Sequence, residues 1–427
     1  MEKLELYIHI PFCVRKCGYC DFVSAPAAEE AQAAYVKALL EEIGLAAAEL
    51  LPVREKGLPG YLVTTIFFGG GTPSIVDPLY IEEILSGIRR NFSLSESPEI
   101  TLEANPGTLT AEKLAVYRRA GVNRLSLGLQ SADDGELAML GRIHTYREFE
   151  ESYFLAREAG FQNINVDLMA ALPEQTEESF KKSLRKVVSL KPEHISVYSL
   201  IIEEGTPFYE KYHKQAEARE EGSGDTAPLP TEEAERRMYY DTERLLGEAG
   251  YSRYEISNYA RPDFPCRHNM GYWTGVPYLG FGISAASYIE GKRFVNTSDR
   301  EAYVAALLGP DLDKEESRTK TGTDILPEKT APAERGNSVA LREIRKEEEA
   351  VTRERAMEEF MFLGLRMTEG ISETEFEDRF GQPLKEIYGE ALNKLEKEGL
   401  MERSSGRRRL TAAGIDVSNY VLAEFLF

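Results

Sequence analysis

Cysteine is scarce in this chain: there are four in 427 residues, and three of them, Cys13, Cys17 and Cys20, fall within eight positions. Cysteines so few and so grouped exclude a disulfide framework and suit a reducing compartment. Long apolar runs are lacking too. No stretch reaches the ~18 residues that a membrane-spanning helix needs, so no span is expected. Basic residues are in deficit, 51 Lys and Arg against 72 Asp and Glu. The net charge of −21 excludes a general binder of nucleic acid or anionic membrane and favours solubility. Residues 1–5 contain neither a basic nor an apolar segment, so no secretory signal is expected and the cytoplasm is the expected location. What remains is an ordinary globular composition, 42% apolar, with length for a large core and a small second domain.

The chain is organised around an apolar run, 6–12, that leads into the cysteines with spacing C-x3-C-x2-C. Thiolates are soft ligands for iron–sulfur clusters or zinc. Short cysteine clusters in a reducing compartment commonly hold zinc. A closed zinc site takes four ligands, however, and only Cys266 could supply a fourth thiolate. Three thiolates on a 4Fe–4S cluster leave one iron open to another ligand.

Strand-like runs at 6–12, 64–68, 99–104, 124–129, 164–168 and 194–201 alternate with amphipathic stretches such as 32–50 and 177–190. Alternation of this kind predicts parallel strands with crossover helices, here an α/β fold with a partial (β/α)6 TIM-like barrel. Chemistry in such barrels gathers at the C-terminal ends of strands. Polar or small residues stand at most of those ends: the cysteines, Gly69-Gly70-Gly71-Thr72-Pro73-Ser74, Glu103 with Asn105, Gln130, and Asp167; the sixth run ends near Ile201. Each carboxylate alone could be a satisfied core group, but together with the cysteines they predict one shared mouth. The glycine run permits close backbone approach to a ligand. It lacks the Lys and Ser/Thr of a phosphate-binding P-loop.

Residues 203–232 read as an exposed insert, followed by a helix over 231–250 with Thr231 as cap. The segment Cys266-Arg267-His268-Asn269-Met270-Gly271-Tyr272-Trp273 contains the only tryptophan, the last of five histidines and the remote cysteine. His and Cys ligate haem iron and aromatics stack on porphyrins, so His268, Cys266, Tyr272 and Trp273 are haem candidates; a purely structural segment is the alternative. The small-residue stretch 278–287 could pass close to a ligand. Residues 301–350 read as a charged, mobile insert. Residues 1–300 then form the barrel with its extension, and 351–427 a separate domain. Its order of helix, helix, hairpin and helix resembles a winged-helix domain. Arg407-Arg408-Arg409 at the wing invites a DNA-binding reading, which the acidic chain opposes.

The cysteine spacing, with Tyr19 before the third cysteine, resembles the signature of the radical SAM superfamily. Tyr7-Ile8-His9-Ile10-Pro11-Phe12-Cys13, the glycine loop, Glu103-Ala104-Asn105-Pro106, Gly128-Leu129-Gln130-Ser131 and Asn165-Val166-Asp167-Leu168 resemble its coproporphyrinogen-dehydrogenase-like branch. Within that branch, His268-Asn269-x-x-Tyr272-Trp273 looks like the HemW group of haem chaperones. The resemblance implies a 4Fe–4S cluster on Cys13, Cys17 and Cys20. It also implies S-adenosylmethionine contacts at Tyr7, Gly70, Gly71, Thr72, Glu103, Gln130, Arg142, Asp167 and Ile201. The two carboxylates would suit ribose hydroxyls and Arg142 a methionyl carboxylate. In this superfamily the reduced cluster donates one electron to the sulfonium and yields a 5′-deoxyadenosyl radical, the cofactor supplying the chemistry.

One departure bears on activity. The dehydrogenases resemble C-x3-C-x2-C-x-C, and the position of the further cysteine is Phe22 here. The chain also begins six residues before Tyr7, where the dehydrogenases have a longer arm. Both turn the expectation toward a chaperone with haem as cargo and haemoproteins as acceptors, some of them membrane-associated. Oxygen-independent coproporphyrinogen III dehydrogenase and a non-enzymatic zinc protein are the alternatives, and a homodimer is left open.

Overall fold

The computed structural model describes residues 1–55, 60–220, 227–309 and 337–427. Six parallel strands form the centre: β1 (Glu2–Ile10), β2 (Tyr61–Gly70), β3 (Leu94–Ala104), β4 (Arg124–Gln130), β5 (Ile164–Ala170) and β6 (His194–Ser199). All seven residues of β4 are buried, and six of seven in β5. Strands covered on both faces read as continuous apolar runs, which is why these two were legible in sequence. The crossover helices carry their own punctuation. The helix Glu177–Leu190 starts on a Thr176–Ser179 capping box, buries Phe180, Leu184 and Val187 on one face, and stops at Lys191 in a left-handed conformation.

The sheet extends past both ends of the barrel. β7 (Ser252–Arg253) and β8 (Asn258–Ala260) add antiparallel strands beyond β6. On the other side β9 (Tyr278–Phe281) joins β1 in parallel, and β10 (Ala286–Ile289), β11 (Lys292–Asn296) and β12 (Arg345–Ala350) follow antiparallel. The result is a twelve-stranded sheet with β12 and β7 as its edges, a partial barrel. The small-residue stretch 278–287 thus includes strand residues. Gly282 is small because a Cβ there would overlap Tyr35 Oη and the His9 carbonyl.

Two of the expected inserts differ from the sequence reading. Within 203–232, Pro207–Glu220 is a helix whose Phe208 and Tyr212 are buried with Leu140, Met169 and Leu200 beside the cysteine loop; 221–226 lie outside the described residues. Within 301–350, the helix Arg300–Leu308 and the helix Asn337–Ile344 pack on the barrel and β12 closes its edge, while 310–336 lie outside the described residues. Burial of Phe208, Tyr303 and Leu307 outweighs the charged composition around them.

Residues 351–427 build the expected α+β unit. Helices Arg353–Gly364, Glu373–Phe380 and Leu384–Lys397 pack on a three-stranded sheet of Ile371–Ser372, Met401–Ser404 and Arg407–Leu410. Its core includes Met361, Phe376, Leu395 and Phe425. The wing arginines are engaged within the unit: Arg408 pairs with Glu373 and Glu396, Arg409 with Glu402, and Arg407 donates to the Glu369 and Gly370 carbonyls. The chain's end forms two short helices, Ala412–Asp416 and Ser418–Ala423, instead of one. Among the described residues no helix is long and apolar enough to cross a membrane.

Glu42 joins the barrel to its extension. Its buried carboxylate accepts from Gly282 N at 2.8 Å, Asn296 Nδ2 at 2.7 Å and the Tyr303 hydroxyl. Burial, its largest influence, pushes its pKa up to about 7. Between the ordinary glutamate range and pH 7 the unfolded chain releases this proton first, so folding stability falls as pH rises through that window. We expect the stability of the wild type relative to Glu42→Gln to drop by about 3 kcal/mol between pH 4 and pH 8 in urea titrations. A difference that does not vary with pH would show that Glu42 stays ionised in the fold.

Candidate functional site

The site begins where β1 ends. Phe12 is fully buried, and the backbone there is held on two sides: Cys13 N donates to Ala25 O, and Thr72 N donates to Phe12 O at 2.7 Å. The second bond ties the cysteine loop to the glycine loop after β2. Gly71 makes that approach possible, because a Cβ on it would lie 2.5 Å from Phe12 O. Gly70 has φ +108 and rests against the His9 ring. These two glycines therefore serve close packing between adjacent strand ends, a use that stands beside the ligand approach that the sequence suggests.

Cys13, Cys17 and Cys20 line one cavity of about 150 Å³ at the barrel mouth, together with Gly70, Gly71, Thr72, Glu103, Gln130, Arg142 and Asp167. Among the described residues no three Cys, His, Asp or Glu side chains converge on a single point as one ion requires. Three thiols lining one cavity are the donor set that a 4Fe–4S cluster takes, each thiolate on its own iron. Arg142 sits among them. Its Nη2 donates to Asn105 Oδ1 and Gly128 O, both at 2.6 Å, its Nη1 lies 3.9 Å from Cys17 Sγ, and its Nε is buried without a partner. An orphaned guanidinium N–H in such a cavity fits an anionic ligand group.

The opposite wall is acidic. Glu103 on β3 is pushed up to about 8 by burial and then by Asp167. Asp167 on β5 is raised by burial too, but Asn165 Nδ2 at 2.7 Å and Ser126 Oγ at 3.2 Å donate to it. A ligand bringing hydroxyls or positive charge would hold both ionised. Gln130 enters the cavity from a register shift in β4, at φ +72, and accepts from the Tyr198 hydroxyl at 2.9 Å. A left-handed glutamine at a bulge is strain of the kind that accumulates at working sites.

Two expected contacts are not on this cavity's wall, although Tyr7 packs on Gly69 beside the Glu103 carboxylate. Ile201 is 67% exposed, beyond the end of β6 and off the cavity wall. Tyr7 lines a second, larger cavity of about 750 Å³. That cavity opens between the barrel's extension and the C-terminal unit. Tyr272, Trp273, Tyr278 and Tyr288 stand on one side, Phe360, Leu363 and Met367 on the other. Its volume falls in the range of sites that enclose large organic ligands.

The helix Arg267–Thr274 supplies Tyr272 and Trp273 to that wall. Glu99 caps its start, accepting from Arg267 N and His268 N at 3.1 and 3.2 Å. His268 faces inward and not into the cavity. Its Nδ1 is 2.6 Å from Thr65 Oγ1, its Nε2 is 3.0 Å from the Tyr272 hydroxyl, and its ring stacks on Phe67. Burial holds its pKa down at about 3. Cys266 is fully buried with its thiol on Glu99, and burial pushes it up to about 12. Neither offers a free ligand atom to the cavity, which corrects the sequence expectation for both. Trp273 lies under the Arg366 guanidinium at 4.4 Å, and its Nε1 is buried without a partner. Ser126 and Tyr198 were missed in sequence; their signal is a polar group within an otherwise apolar strand. The C-terminal contribution has no local signal.

Residues 7–187 match the model of the radical SAM superfamily, and residues 351–417 that of the HemN C-terminal domain. The chain is 35% identical to the heme chaperone HemW of Bacillus subtilis over 98% of both chains. It is 40% identical to the heme chaperone HemW of Escherichia coli, over 67% of this chain and 70% of that one. The zebrafish (Danio rerio) mitochondrial radical S-adenosyl methionine domain-containing protein 1 is 32% identical over 93% of this chain and 80% of its own. Among solved structures, Escherichia coli HemN, coproporphyrinogen III oxidase, superposes with a TM-score of 0.73 at 24% identity, over 99% of this chain and 90% of that chain, and so shares the fold.

The link between the two loops has a direct test. Gly71→Ala forces Phe12 away and is expected to cost about 1–3 kcal/mol. In anaerobic reconstitution the variant should retain less than half of the wild-type iron and sulfide per chain. Wild-type iron content would mean that the Phe12 contact does not position the cysteines.

Proposed function

The chain belongs to the HemW family within the radical SAM superfamily, and from that premise we propose that it carries haem and hands it to acceptor haemoproteins in the cytoplasm. Its barrel holds a 4Fe–4S cluster and S-adenosylmethionine, and residues 351–427 cover the cargo. The observation that carries this proposal is the largely apolar, aromatic-walled cavity of about 750 Å³ between the two. A flat apolar macrocycle gains from stacking on Tyr272 and Trp273 and from burial against Phe360 and Leu363.

When bound, the cluster supplies one electron at a time and an open iron for the amino and carboxylate groups of S-adenosylmethionine. The chain's own residues do the positioning. Cys13, Cys17 and Cys20 hold the cluster; Arg142 holds the carboxylate; Glu103 and Asp167 accept from ribose hydroxyls; Gln130, Gly70, Gly71 and Thr72 frame the remainder. Tyr7 acts from the other side of the wall, through its hydroxyl 3.2 Å from His9 Nδ1.

Haem titration of the reconstituted protein should give a Soret band. Trp273→Ala should weaken haem about tenfold, or 1.4 kcal/mol, whereas Cys266→Ala leaves affinity unchanged. Absence of the band, or equal affinity in Trp273→Ala, would contradict this placement of the cargo. His268→Ala removes the partner of Thr65 and Tyr272 and should lower stability by about 2–4 kcal/mol, measured by urea unfolding of the haem-free protein. A stability loss below 1 kcal/mol would instead point to a role for His268 in cargo binding alone.

A further inference from the structure

The two cavities are neighbours, and one short segment stands between them. Cys20 and Ser24 face the cysteine cavity, Asp21 and Val23 face the large one, and Phe22 lines both. The segment is pinned from β1: His9 Nε2 donates to Val23 O at 3.0 Å, and Tyr7 donates to His9 Nδ1 at 3.2 Å. Burial keeps the His9 imidazole neutral, which suits this donor and acceptor pattern. On the cluster side Cys13 Sγ lies 3.7 Å from Ser24 Oγ, and Ser24 Oγ lies 3.4 Å from Phe22 O. The wall's backbone is therefore held from both sides, while its one large side chain, Phe22, is 61% exposed at the shared rim.

We infer that Phe22 is the partition that keeps a tetrapyrrole in the large cavity from entering the cluster and S-adenosylmethionine cavity, and so determines that the chain carries its cargo unaltered. The inference rests on the cargo placement proposed above. A benzyl group at a rim shared by two cavities obstructs the way from one to the other; a methyl group obstructs it far less. A macrocycle wider than the large cavity's apolar floor then extends its edge through the passage and meets S-adenosylmethionine. The backbone pins at Val23 and Ser24 do not depend on the side chain of residue 22, so its removal opens the passage without collapsing the wall. Its exposure also means that truncation removes little core packing.

The test is a coupling measurement on the anaerobically reconstituted full chain. Haem affinity is read from the Soret band with and without saturating S-adenosylmethionine, and S-adenosylmethionine affinity by calorimetry with and without haem. In the wild type each ligand should leave the other's affinity within twofold. In Phe22→Ala, S-adenosylmethionine should weaken haem at least fivefold, and haem should weaken S-adenosylmethionine by the same factor, as linkage requires. Phe22→Leu, which keeps most of the bulk, should behave as the wild type. Fivefold antagonism already present in the wild type, or independent binding in Phe22→Ala, overturns the partition. A wild type with no Soret band but intact S-adenosylmethionine binding overturns the cargo placement itself, and the inference with it.

Discussion

The hydrogen bond from Thr72 N to Phe12 O, with Gly71 packed beneath it, fixes the relation between the first two strand ends. Everything at the barrel mouth is set out from there. β1 delivers three thiols into a loop with little regular structure, and such a loop would wander without a fixed neighbour. The glycine loop is that neighbour, and its lack of side chains lets two backbones meet. A second support comes from the helix Pro207–Glu220, where Phe208 N donates to Gly18 O and the Phe208 ring lies against Gly18. The cysteines are thus held between the ends of β1, β2 and β6, which are far apart in sequence.

The same strand, β1, serves the two cavities, one through a single face and the other through its exit. Tyr7 and His9 face the large cavity, and the loop beyond Ile10 brings the three cysteines to the other. The C-terminal unit completes the large cavity by reaching the Arg267–Thr274 helix and its approach: Arg366 covers Trp273, and Thr368 N donates to Tyr254 O. Its winged-helix likeness is therefore a matter of fold, and its surface arginines are tied to its own glutamates and carbonyls instead of being presented to a polyanion.

Much of this was legible in the sequence, for physical reasons. Strands buried on both faces, such as β4 and β5, announce themselves as apolar runs, and polar residues at their ends, Glu103, Gln130 and Asp167, mark the mouth. What could not be read depends on distance or direction. His268 has the composition of an iron ligand, but Thr65, 203 positions away, and Tyr272 occupy both its nitrogens. β12 has the sequence Arg-Lys-Glu-Glu-Glu-Ala and looks like an exposed insert, yet it pairs with β11 because an edge strand can expose both faces. The helix over 207–220 hides behind its charged neighbours, since Phe208 and Tyr212 alone among its described large side chains are buried in the core. Tyr7 and Ile201 follow the family pattern in sequence; the Tyr7 ring lines the large cavity while its hydroxyl and the Glu103 carboxylate both pack on Gly69, and β6 ends before Ile201.

Two iron-containing groups on two sides of a five-residue wall is the central physical claim. Anomalous diffraction at the iron edge, from crystals of the reconstituted chain with haem, tests it most directly. The account predicts one iron peak against Cys13, Cys17 and Cys20 and a second in the cavity walled by Tyr272 and Trp273, with Phe22 between them. A second peak at His268 or Cys266, buried behind that wall, or within the cysteine cavity itself would contradict it.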